Sequence, residues 1–211
     1  RALQIEEKLP SLSNNFGQST YAKCPTVKKG DTGNLVYIVQ GGLWCKGYSP
    51  GGFNGVYGDG TYAAVQRFKK AAGFDDADGN INKDFMKALL DMSAFKLLSG
   101  GKEEIRTIQQ QLNKDYYDFY QICPCNGLYD RDMNKMLIYA LQKEEGIPKA
   151  SATGTWGPST ISKCPRLELG KSSNVVKLVR YALVCNGISV STSSKTHDST
   201  LDAKATEFAK L

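Results

Sequence analysis

Apolar residues recur along this chain at helical spacing. Val36, Val39 and Leu43 stand at i, i+3 and i+7, and Ile105, Ile108 and Leu112 repeat the intervals 69 positions later. A stripe of that period is the buried face of an amphipathic helix. With Ala63, Val65 and Phe68 it predicts helices over about 33–46, 59–72 and 82–92 in the first stretch. Turns interrupt the pattern at Asn54-Gly55-Val56-Tyr57 and Asn126-Gly127-Leu128-Tyr129, where Asn-Gly supplies the positive φ of a tight turn. A helix then opens at a residue able to cap it: Gly58, Asp130 and Asp198. Gly41-Gly42 inside the first helix costs stability relative to Ala, yet Tyr181-Ala182 fills the matching positions further on, so the helix prediction stands. The expectation is an all-α chain.

The pattern is a repeat. Residues 16–47 return as 156–187, with 13 of 32 aligned positions identical, including both cysteines. Upstream the match continues at an offset of 138, pairing Gln4 with Gln142, Glu6-Glu7 with Glu144-Glu145 and Pro10 with Pro148. A weaker half-period of about 70 residues lies within the longer one. The chain thus divides into the tail of a repeat (1–27), a whole repeat (28–98), a divergent one (99–168) and the front of another (169–211). A partial repeat at either end reads as a piece of a longer array. Residues shared by the copies are expected to be scaffold, and recognition is expected where the copies differ.

Composition narrows the class. At 211 residues, with 41% apolar and 10% aromatic content, the chain is folded material, and a ~70-residue period means several small cores. No apolar run approaches the ~18 residues of a membrane span. The opening Arg-Ala-Leu-Gln-Ile-Glu-Glu has no signal-peptide pattern, so a targeting sequence would lie upstream or have been removed. Net charge is +6, modest and spread; it suits an anionic polymer such as nucleic acid or an acidic cell wall, yet no basic, aromatic-interleaved run marks a nucleic-acid groove, and a solvated surface is the simpler account.

Two cysteine pairs occupy equivalent places, Cys24 with Cys45 and Cys164 with Cys185, each 21 residues apart. If joined, each would close a loop worth roughly 3 kcal/mol and place the chain outside the cytoplasm; buried free thiols are the equal alternative. Cys123 and Cys125 are too near for mutual bonding. With His197 the one histidine and no Cys-x-x-Cys, zinc is not expected. The acidic run Asp75-Asp76-Ala77-Asp78-Gly79-Asn80 puts Phe74 and Phe85 where a calcium loop needs carboxylates, so it is expected to be a polar turn leading into the third helix. No cofactor is implied.

The first repeat, from Lys29-Gly30-Asp31-Thr32-Gly33 through Val36, Val39-Gln40, Leu43, Asn54-Gly55-Val56-Tyr57-Gly58, Thr61, Ala63-Ala64-Val65 and Phe68 to Gly79-Asn80-Ile81, resembles the peptidoglycan-binding domain family. The second keeps Asn126-Gly127-Leu128-Tyr129 but has Asp130-Arg131-Asp132-Met133 in place of a Gly-x-x-Thr cap. Its continuation through Leu141-Gln142 to Gly154-Thr155-Trp156-Gly157-Pro158-Ser159-Thr160 looks like arrays that follow glycoside-hydrolase-like catalytic domains in Gram-positive cell-wall proteins. The third departs most, with Lys195-Thr196-His197-Asp198 at the turn. The resemblance implies tandem three-helix bundles, a peptidoglycan partner, an attached catalytic domain outside this chain, and an extracellular, cell-wall location.

A helical module that binds glycan or stem peptide needs exposed aromatics and a few orienting polar groups. The candidates are Trp44, Tyr48, Asn54, Tyr57, Tyr62 and Arg67 in the first repeat, and Tyr117, Tyr120, Asn126, Tyr129, Arg131 and Asn134 in the second; for Tyr57 and Tyr129 the resemblance implies core packing as the stronger alternative. The resemblance puts the ligand groove near the loop joining the first two helices. Glu6-Glu7 and Glu144-Glu145 are most simply solvent-facing, since adjacent helical residues do not face one another; no triad or phosphate loop is present. The leading expectation is a non-catalytic wall-binding region of a secreted hydrolase. An assembly segment whose repeats contact protein is the alternative, and hydrolysis of wall polymer by the chain itself is a weaker one.

Overall fold

The computed structural model describes residues 26–91, 94–120 and 123–210; the tail repeat, including Cys24 and Glu6-Glu7, lies almost wholly outside them. The described residues form eight α-helices and no strand, so the all-α expectation holds. They fall in two compact units, one within Arg1–Lys69 and Asp76–Met92, the other within Lys70–Asp75 and Ser93–Leu211.

In the first unit, α1 (Asn34–Cys45), α2 (Asp59–Ala72, through Lys69 here) and α3 (Lys83–Leu90) lie within two residues of the expected spans. Val36, Val39 and Leu43 of α1 are buried, as are Val65 and Phe68 of α2 and Phe85 and Leu89 of α3. Asn82 caps α3, its Oδ1 accepting from the Phe85 amide at 2.9 Å. The glycine pair in α1 has a packing reason. A Cβ at Gly42 would lie 2.7 Å from Leu89 Cγ, so the bare backbone lets α3 approach. The acidic run is spent on a lysine: Lys69, its side chain fully enclosed, donates to Asp76 at 3.1 Å and Asp78 at 2.5 Å. The segment is a polar turn into α3.

The second unit contains α4 (Glu103–Tyr116), α5 (Arg131–Glu144), a 3₁₀ turn (Lys149–Ser151), α6 (Pro158–Lys163), α7 (Asn174–Cys185) and α8 (Ser199–Phe208). One core serves them. Ile108 and Leu112 of α4 and Met133 and Met136 of α5 pack with Val176 and Leu183 of α7 and Leu201 of α8. α7 buries residues around most of its circumference, as a central helix does. Asp130, Ser173 and Asp198 cap α5, α7 and α8 by accepting from Met133, Val176 and Leu201 amides. Pro158 opens α6, where its missing N–H costs nothing.

Two expectations need correction here. Glu144 and Glu145 are not solvent-facing. Glu144 accepts from the Tyr116 hydroxyl at 2.9 Å and from Asn174 Nδ2 at 3.0 and 3.1 Å, because α4 and α7 both close on the end of α5. Both Glu145 carboxylate oxygens are enclosed without a hydrogen-bond partner, and burial raises its pKa. The proposed Cys164–Cys185 bond is also not formed. Both are free thiols, Cys164 exposed beyond α6 and Cys185 buried in the core at the end of α7. Cys45 is a free, exposed thiol, and its proposed partner Cys24 lies outside the described residues.

Candidate functional site

A glutamine on a helix holds the turn that follows it, and the same frame is built more than once. Gln40 of α1 is 1% exposed. Its Nε2 lies 3.1 Å from each of Asn54 Oδ1, the Val56 carbonyl and Thr61 Oγ1, while its Oε1 accepts from the Asn54 and Gly55 amides. Every polar atom of the side chain is satisfied, which is what a buried amide requires. Gly55 has φ 68°, and a Cβ there would come within 2.3 Å of the Tyr37 ring. Only glycine fits.

Gln142 of α5 repeats this arrangement. Its Nε2 donates to the Thr155 carbonyl at 3.1 Å and Thr160 Oγ1 at 2.9 Å, and its Oε1 accepts from the Thr153 and Gly154 amides. Tyr139 covers Gly154 as Tyr37 covers Gly55. Gln109 of α4 makes a related clasp, donating to Asn126 Oδ1 and the Leu128 carbonyl and accepting from Gly127 N. At the position equivalent to Gln40 in the last copy, Arg180 reaches the carbonyls of Ser191 and Thr196 and the Asp198 carboxylate at 2.6 Å. Sequence periodicity paired Gln40 with Gln109. It missed that α5 serves both as the helix after one turn and as the helix clasping the next.

Beside the Gln40 clasp is a small open pocket of about 120 Å³, lined by Gln40, Pro50, Gly51, Gly52, Asn54, Val56, Gly58, Gly60 and Thr61. Two aromatics of this unit are exposed. Phe53, 49% exposed, sits between two lining residues; its ring meets Tyr37 at 5.3 Å and lies over Gly41. Trp44, 68% exposed, follows one turn along.

The candidates named from sequence are distributed unevenly around this pocket. Asn54 lines it. Tyr48 packs edge-on against Phe68 at 5.4 Å, and Arg67 donates to the Ser49 carbonyl at 2.9 Å, bracing the loop that walls the pocket. Tyr62 is half-buried, its ring covering Gly79. As a ligand contact Tyr57 is a correction, and its core-packing alternative is what the structure has: it is fully enclosed and its hydroxyl donates to the Gly79 carbonyl, with burial and neighbouring Asp78 raising its pKa. In the second unit Asn126 is likewise buried inside the Gln109 clasp, so it too is scaffold. Tyr117, Arg131 and Asn134 are exposed, Tyr129 donates to Asn134 Oδ1 at 3.4 Å, and Tyr120 stacks on Tyr139 at 4.0 Å. Phe53 went unnamed, although its place beside Gly52 and the Asn54-Gly55 turn was a usable signal. Exposed Trp156 was seen only as part of a motif.

Residues 32–89, which carry the helix, clasped glycine turn and second helix of the first unit, match the peptidoglycan binding domain. Residues 98–211 match the FadG/YbfG, PGDB-like domain. The chain belongs to this FadG/YbfG family. Two Bacillus subtilis (strain 168) relatives are similar over most of it. "Uncharacterized protein YbfG" is 51% identical over 192 residues, covering 89% of this chain and 26% of the relative. "Uncharacterized protein FadG" is 40% identical over 201 residues, covering 90% and 35%. The spore cortex-lytic enzyme of the same organism is 35% identical over 69 residues, covering 33% of this chain and 23% of the enzyme. The chain thus spans about a quarter to a third of the length of the relatives it matches. No solved structure matches. Among the described residues no helix is long and apolar enough to cross a membrane.

Proposed function

We propose that this chain is a non-catalytic, extracellular wall-binding region, a tandem array of three-helix modules that holds an attached secreted hydrolase on peptidoglycan. The observation that carries the reading is the open pocket beside the Gln40 clasp, lying within the stretch that matches the peptidoglycan binding domain. Partial similarity to a cortex-lytic enzyme supports the attached hydrolase. In this reading the modules are 28–98 and 99–168, with 1–27 and 169–211 as parts of further ones. The solvent-facing candidates are the ligand contacts: Trp44, Asn54 and Arg67 in the first unit, and Tyr117, Tyr129, Arg131 and Asn134 in the second. Several weak sites on a repetitive polymer add avidity without any single tight contact.

Sedimentation of the chain with purified sacculi tests this. Retention at moderate salt is expected; its absence across walls of differing peptide chemistry would sink the reading, and retention lost with slight added salt would reduce it to charge attraction. A second reading, assembly through protein contacts, draws on Trp156 and Ile161, 56% and 58% exposed around the short α6. Size that rises with concentration would favour it.

A further inference from the structure

The pocket beside Gln40 measures about 120 Å³. Sites that enclose a drug-sized ligand run to ~300–1,000 Å³; this open pocket is smaller, so it seats a small group of a larger ligand rather than enclosing the whole. None of the lining side chains is charged, so a carboxylate seated there would lose its hydration without gaining a cation. Arg67 is outside the lining and donates to the Ser49 carbonyl, and the first turn of α2 already carries an anion of its own, Asp59.

What the lining offers is an amide donor beside apolar walls. Gln40 is consumed by the turn. Asn54 Oδ1 accepts from Gln40 Nε2 and from the Val56 amide, which pins the side chain, while among the described residues Asn54 Nδ2 makes no hydrogen bond. Val56 and Pro50 supply carbon surface. A neutral group with one carbonyl oxygen and one methyl matches that combination. Whatever bears the group stays outside, where Phe53 stands between lining residues Gly52 and Asn54. Tyr37, Gly41 and Trp44 share one face of α1; the Phe53 ring lies over Gly41, and Trp44 stands exposed one turn further along that face. Flat aromatic faces of this kind suit the apolar face of a pyranose ring.

We infer that the pocket seats the acetamido group of an N-acetylhexosamine, with the sugar ring lying on Phe53 and Trp44. The inference rests on the wall-binding reading and narrows it to the glycan strand rather than the stem peptide.

Titration of the full chain with the N-acetylglucosamine tetrasaccharide, its fully de-N-acetylated counterpart, peptide-free glycan strands from sacculi, and sugar-free stem peptides tests it. The acetylated tetrasaccharide and the peptide-free strands bind, the de-N-acetylated form binds at least tenfold more weakly, and the stem peptides neither bind nor compete. Affinity for the neutral tetrasaccharide holds as ionic strength rises. The double variant Trp44→Ala/Phe53→Ala, altering exposed side chains, loses about tenfold in affinity with helicity unchanged. Gly58→Leu, at a position where a Cβ meets nothing within 4 Å, abolishes binding by filling the pocket. Equal affinity for the two tetrasaccharides, or competition by stem peptides alone, overturns the inference while leaving wall binding intact. Binding of the acetylated tetrasaccharide without binding to sacculi supports the acetamido seat and removes peptidoglycan as its source, which takes down the wall-binding reading instead.

Discussion

Gln40 and Gln142 show how one buried side chain fixes a turn. Replacing Gln40 by Leu orphans the Asn54 and Gly55 amides, each costing about 1–3 kcal/mol when buried without a partner. A loss of about 2–4 kcal/mol is therefore expected for Gln40→Leu, measurable by denaturant unfolding, with a similar loss for Gln142→Leu in the second unit. Lys69 provides a pH-dependent case. Burial pushes the Asp78 carboxyl up, but hydrogen bonds from Lys69 and Asn80 outweigh it and hold its pKa below the usual value. A carboxyl depressed in the folded state contributes stability that is present above its unfolded pKa of ~3.9 and is lost as pH falls through the folded value. The first unit should accordingly lose stability below about pH 4, and Asp78→Asn should weaken that dependence while lowering Tm at neutral pH. The thiols divide by burial. Burial drives Cys123 well above its usual pKa and raises Cys125 to about 12, whereas Cys45 and Cys164 are exposed. Labelling of the native protein with a thiol reagent should modify Cys45 and Cys164 and spare Cys123 and Cys125 until unfolding. Protection of Cys164 in unreduced protein would contradict the free-thiol state.

Helix positions were legible because each rests on local signals: the 3-and-4 spacing of Val36, Val39 and Leu43, and caps such as Asp130 and Asp198. Contacts between helices were not. Gly42 counts as a cost when α1 is considered alone, and only Leu89 of α3 shows why no side chain belongs there. Gly42→Ala gains helix propensity of up to ~1 kcal/mol but forces a methyl against Leu89, an overpacking that costs about 1–3 kcal/mol. Net destabilisation is expected, and Leu89→Ala should cost less in the Gly42→Ala background than alone. The same limit explains Glu144. Its neighbours Tyr116 and Asn174 are 28 and 30 residues away, so no local pattern could mark it as hydrogen-bonded between helices.

At the scale of the molecule, the two units differ in how repeats relate to cores. The first unit packs α1, α2 and α3 around one interior, whereas in the second the segments before and after residue 168 contribute to a single core. Deleting 169–211 should thus strip α4 and α5 of their cover from Val176, Leu183 and Leu201. Loss of far-ultraviolet helicity beyond the share of α7 and α8 is the expected outcome; a truncated chain that keeps α4 and α5 fully helical would refute the shared core.

The sequence by itself determined the helices, their caps, the glycine turns and the family resemblance, because hydrophobic period, capping and positive φ are properties of a few adjacent residues. Tertiary structure alone decided which repeats share a core, that Asn126 faces inward while Phe53 faces out, that Gln142 rebuilds the Gln40 clasp, and that Cys164 and Cys185 stand apart. Each of these depends on which distant side chains meet in space, and spacing along the chain does not encode that.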